Sequence, residues 1–233
     1  MTDAAPEFAT APPAPDSAPT ARATRSLPFY SPREERANVL SHAVGILISI
    51  AFLVALLLKA QGMAQIGSAI AFGGGLIMTF TASTLYHAAR DHSLRRRFRI
   101  LDHTSIYLLI AGTYTPYMMV SIPDQGGRAM TLAIWVAAVL GVGVECLWLS
   151  RPKWLIAALY VGLGWCILFK AVEIRAAVGE MGFWLLMAGG GICTLSVLFY
   201  VQKTREFMHA VFHAFVFLSS IPTFISVYAH VFQ

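Results

Sequence analysis

Residues Met130–Leu149 read MTLAIWVAAVLGVGVECLWL, twenty positions with one acid, Glu145, and no base. Crossing the hydrocarbon of a bilayer takes about 20 apolar residues as helix, and this stretch meets that length. Working outward from it, Ile48–Ala60 (ISIAFLVALLLKA) is equally clear, and apolar runs follow one another with short connections. The spans read 38–58, 66–88, 101–121, 129–149, 153–173, 182–201 and 208–231. The chain of 233 residues is 57% hydrophobic and 12% charged, whereas a soluble domain carries about a quarter charged residues. The sequence therefore predicts an all-α integral membrane protein, a seven-transmembrane helix bundle that crosses the cell membrane several times. Two units are expected: residues 1–31, an Ala/Pro-rich tail whose composition cannot bury a core, and residues 32–233, the membrane domain. The tail lacks the basic-then-apolar layout of a secretory signal.

The formal charge of +5 does not point to nucleic acid, because the basic residues gather at the ends of spans. Thirteen of the 17 fall on one side: Arg22, Arg25, Arg33, Arg36, Arg90, Arg95, Arg96, Arg97, Arg99, Arg151, Lys153, Lys203 and Arg205. Lys59, Arg128, Lys170 and Arg175 are left for the other. Basic loops stay cytoplasmic, so the N-terminus is expected inside and the C-terminus outside. Cys146, Cys166 and Cys193 lie in three separate spans and read as small packing residues rather than a disulfide framework. Gly73–Gly75 and Gly189–Gly191 are expected to allow close helix contacts, and Pro116 and Pro222 to bend their helices.

With that topology, polar residues can be placed by depth. Ser83 and His87 of "STLYH" end the second span, Asp102 of "ILDHTS" opens the third, and His209 and His213 of "HAVFH" open the seventh. All five converge on one layer beneath the cytoplasmic surface. Ionisable side chains in such a place are costly and call for a function. Histidines at i and i+4 share a helix face and can bind one zinc ion as neutral imidazoles. His87 supplies a third nitrogen, and three protein ligands leave the fourth tetrahedral position for water, as in catalytic zinc sites. Asp102 can orient that water or act as general base, and Ser83 can donate to the water or to a developing oxyanion. Unlike the metalloprotease signature, "HAVFH" has no glutamate beside its first histidine, so any base must come from another helix.

These three motifs, with "EERANVLSHAVG" at Glu34–Gly45, resemble the hemolysin III family over residues 33–233. That family belongs to the progestin and adipoQ receptor group, in a superfamily with the alkaline ceramidases. The resemblance implies an intramembrane zinc (Zn2+) held by His87, His209 and His213, with Asp102 and Ser83 on its water. It also implies a zinc-dependent hydrolase of a lipid amide or ester, contributing to membrane lipid homeostasis, its substrate in a pocket between the helices. The other reading is a non-enzymatic protein, a lytic channel-like factor or a sensor of membrane state, with zinc as a structural staple. No polar stripe runs the length of any span, which argues against a pore. Membrane lipids are the expected partners in either case, and the basic run "ARDHSLRRRFRI" can hold anionic headgroups as well as set topology.

Other ionisable residues compete for these roles. His42 lies on the same side and can approach the metal, although an interfacial hydrogen bond is the simpler role. Glu34 or Glu35 with Asn38 is expected to organise the start of the first helix. His103 should face away from Asp102, His92 should be solvated, and His230 lies at the far end. Glu145 is expected to snorkel to Arg151 or Lys153, with a hydrogen bond to a ligand imidazole as the alternative.

Overall fold

The computed structural model describes residues 30–148, 153–201 and 207–233. The tail expected over 1–31 lies almost wholly outside them, as do Arg151, Lys203 and Arg205. The described residues form α1 (Pro32–Lys59), α2 (Gly62–Ala88), α3 (His92–Pro116), α4 (Arg128–Leu147), α5 (Lys153–Trp165), α6 (Ala171–Val201) and α7 (Met208–Ser226), with no strand among them. Each helix packs on its neighbours in sequence, α7 returns against α1, and α3 also touches α5. The result is a closed all-α bundle.

Local chemistry sets where the helices begin. Ser31 caps α1 reciprocally with Glu34: Ser31 Oγ accepts from the Glu34 N–H at 3.3 Å, and Glu34 Oε2 accepts from the Ser31 N–H at 2.8 Å. Pro32 occupies the first turn, where its missing N–H costs nothing. Asp91 Oδ1 accepts from the Leu94 N–H at 2.8 Å and starts α3 at His92, well before the expected 101. The basic run read as a loop is thus mostly the first turns of a helix. Pro116 closes α3, which continues as a π turn over Tyr117–Ser121.

The expected loop between spans five and six is absent. Trp154–Tyr200 is one helical path, interrupted by a 3-10 turn at Cys166–Lys170 and by Gly179, whose φ of 73° and ψ of 172° break the helix. Trp165 Nε1 donates to Thr194 Oγ1 at 2.9 Å, and the two residues stand almost symmetrically about Gly179. The path therefore folds back on itself as a hairpin, and the break at one glycine replaces a loop.

Burial is arranged as lipid demands. Large apolar side chains point outward, among them Leu58 at 85% and Phe169 at 79% exposure, whereas Asn38, His42, Ser83, Asp102 and Glu145 are buried. Buried hydroxyls answer carbonyls one turn back: Ser49 to Gly45, Thr79 to Gly75, Thr115 to Ala111 and Thr223 to Ser219. Helices meet where side chains are small. Gly75 lies against Leu109, Gly112 against the Ala71 backbone, and Gly189 against Thr223. Gly74 and Gly191 face open space, so the triplets do not act as units. Five helical stretches are long and apolar enough to cross a membrane; α3, with arginines in its first turns and hydroxyls along the rest, is not among them. This is a multi-pass membrane protein. The three cysteines are free; Cys146 and Cys193 are exposed rather than packed, and Cys193 lines the internal cavity.

Candidate metal centre

The C-terminal end of α2 and the N-terminal end of α7 meet beside the first turns of α1, and their histidines face one another. His209 Nε2 lies 3.1 Å from His87 Nε2 and 3.1 Å from His213 Nε2. Around a tetrahedral zinc with bonds of about 2.0–2.1 Å, ligand nitrogens stand about 3.3–3.4 Å apart, so the spacing fits such an ion. Ring protons alone serve it poorly. His209 Nε2 has two partners, and one N–H can donate to only one of them. Three ring nitrogens gathered this closely suit a bound cation.

The far side of His87 is fixed by α1. Glu35 Oε2 accepts from His87 Nδ1–H at 2.6 Å, and the Asn38 amide lies 3.2 Å from the same nitrogen. Because a carboxylate can only accept, the proton sits on Nδ1 and Nε2 keeps its lone pair for the cluster. The other oxygen of Glu35 accepts from Arg95 Nη2 in the first turn of α3. Tyr30 stacks on His209 at a ring separation of 5.1 Å and meets His87 edge-on at 5.5 Å.

A fourth imidazole belongs to the group. His42 is fully buried, its ring 4.0 Å from that of His213, and its Nε2 is 3.0 Å from Ser83 Oγ. Ring nitrogens of His42, His87 and His213 lie within 4.8 Å of one another, so these three buried histidines can by themselves hold a metal ion. Ser83, expected at a water, therefore has His42 as its partner here. Asp102 is buried as anticipated, and its carboxylate lies 3.5 Å from His103 Nδ1 on the next residue, which is not turned away as expected. Glu145 is buried at 1% exposure, while the basic side chains expected to receive it lie outside the described set.

Asp102 and His213 stand together in the wall of a cavity of about 180 Å³. The cavity runs along α3 as far as Thr113, about 16 Å at 1.5 Å per residue, and its deeper walls are apolar: Leu76, Ile110, Leu186 and Val216. It thus joins the histidine cluster to the middle of the bundle.

Sequence reasoning brought His87, His209 and His213 together and left His42 open. The expectation that Glu34 or Glu35 organises the start of α1 holds for Glu34, whereas Glu35 turns to His87. A signal was present: Glu35, Asn38 and His42 fall at i, i+3 and i+7, a polar stripe on one face of an apolar helix.

Comparison with known proteins gives the family of the chain. The family described as haemolysin-III related matches residues 30–224. Hemolysin-3 homolog of Bacillus subtilis (strain 168) is 31% identical over 202 residues, covering 85% of this chain and 95% of the relative. Hemolysin-3 of Bacillus cereus is 31% identical over 215 residues, covering 91% and 97%. The human monocyte to macrophage differentiation factor is more distant, 24% identical over 168 residues, with 70% and 69% covered. On the match across residues 30–224, the chain belongs to the haemolysin-III-related family.

Proposed function

We propose that the protein is a zinc-dependent hydrolase of a lipid amide or ester. One observation carries the reading: His209 Nε2 lies 3.1 Å from both His87 Nε2 and His213 Nε2, while His213 shares the wall of an apolar cavity with a buried carboxylate, Asp102. His87, His209 and His213 would hold the ion. Zinc with an open fourth position acidifies water toward a pKa of about 7 and polarises a carbonyl. The chain's own groups do the rest. Asp102 takes the proton from the attacking water, its carboxylate being in contact with His103 among the described residues. Ser83, released from His42, donates to the oxygen on which charge develops. The apolar walls take an acyl chain and exclude bulk water, and membrane lipids supply the substrate.

The test is turnover of lipid amides and esters by purified protein, with Asp102→Ala beside wild type. Loss of a general base costs about 10²–10⁴-fold in rate. Wild-type turnover in that variant would remove Asp102 from the role. A second reading, a non-enzymatic protein with a structural ion, is favoured by His42: a fourth imidazole beside His213 offers a means of closing the coordination shell. Metal analysis of His42→Ala separates the two.

The charge asymmetry supports an N-terminus in the cytoplasm. Arg33, Arg36, Arg90, Arg95, Arg96, Arg97 and Arg99 share the end of the bundle that carries the histidines, and Lys59, Arg128, Lys170 and Arg175 share the other.

A further inference from the structure

We propose that Glu35, anchored by Arg95, is a positioning residue that makes His87 a metal ligand; the proposal rests on the metal reading above. Of the three ligand nitrogens in that reading only that of His87 comes from α2, a helix that has no other histidine with which to set its register against the pair on α7. An imidazole on a flexible χ2 can turn either nitrogen inward, and what hydrogen-bonds the outer nitrogen decides which. Here the outer partner is a carboxylate at 2.6 Å, closer than the 3.0–3.2 Å of the other polar contacts to the clustered histidines. That carboxylate fixes the orientation of the ring.

Glu35 is itself held. One oxygen faces His87 and the other the Arg95 guanidinium, which also lies over the Tyr86 ring at 5.2 Å. Both oxygens are thus used, and the ends of α1, α2 and α3 are joined at a single side chain. The adjacent Glu34 makes the matching contact to the last helix, its Oε1 accepting from the Phe207 N–H at 2.9 Å, two residues before His209. Two consecutive glutamates in the first turn of α1 therefore register both histidine-bearing helices, Glu34 through backbone and Glu35 through the ligand side chain. A simple ion pair between Glu35 and Arg95 would not need the second oxygen on His87.

The experiment uses the full chain in detergent, stripped of metal and titrated with Co2+, whose visible absorption reports the ligand field. Wild type is expected to bind with a four-coordinate spectrum. Glu35→Ala should bind about 10–100-fold more weakly, with a shifted band and with the helix content and unfolding temperature of the metal-free protein unchanged. Glu35→Gln keeps the shape and an acceptor without the charge. It should recover part of the loss and remain measurably weaker than wild type, by about three- to tenfold. Wild-type affinity and spectrum in Glu35→Ala would overturn the proposal alone. An equal loss in both variants, accompanied by a lower unfolding temperature of the metal-free protein, would also overturn it, because Glu35 would then be structural. If Glu35→Ala does not fold, Glu35→Gln decides: binding identical to wild type overturns the proposal. A wild-type chain that takes up no Co2+ overturns the metal reading itself.

Discussion

At the scale of single residues, the histidine cluster has one member more than a three-ligand site needs. His42 donates to or accepts from Ser83 and lies edge-on to His213, so its role is decided by whether the ion survives its removal. Under the hydrolase reading, His87→Ala, His209→Ala and His213→Ala each lose bound metal in elemental analysis, whereas His42→Ala keeps a stoichiometric ion. Loss of metal from His42→Ala would make it a ligand and favour a closed structural site. The glycines allow a second comparison. A Cβ at Gly112 would overlap the Ala71 carbonyl of α2, while one at Gly74 meets nothing within 4 Å. Gly112→Ala should cost about 1–3 kcal/mol by forcing α2 and α3 apart, read as a lower unfolding temperature in detergent. Gly74→Ala should be neutral or stabilising by up to about 1 kcal/mol, since alanine favours helix. Which glycine of a triplet matters could not be read from the triplet, because it depends on the azimuth each presents to its neighbour.

At the scale of elements, the most informative departure is between α5 and α6. Hydropathy reads two spans separated by a polar connection, because Glu173, Arg175 and Glu180 interrupt the apolar run. Two of these acids are paired locally, Arg175 with Glu180 and Lys170 with Glu173, so the backbone stays helical through them and turns at Gly179 alone. With φ at 73° and ψ near 172°, that position lies in a region open essentially only to glycine. Gly179→Ala should cost about 1–3 kcal/mol and loosen the pairing of Trp165 with Thr194, measurable as a lower unfolding temperature and a change in Trp emission. The start of α3 teaches a related lesson. An Asp cap can carry a helix through four arginines, and a window tuned to apolar residues does not register them as helical.

At the scale of the whole molecule, charge distribution and helix order together predict opposite fates for the two termini. A reporter active only outside the cytoplasm should be silent when fused before residue 30 and active after Gln233; the reverse result would invert the bundle. The all-α membrane fold was decided by sequence alone, because every backbone polar group in lipid must be satisfied within its own segment and long apolar runs can then only be helices. Depth, too, was legible, since helix rise and span direction place Ser83, His87, Asp102, His209 and His213 in one layer. Rotation about each helix axis and the pairing of helices were not. Those are set by small-residue contacts between segments distant in the chain, and they alone brought His42 against His213, gave Ser83 an imidazole as its partner, and turned Glu35 from the start of α1 onto the ring of His87.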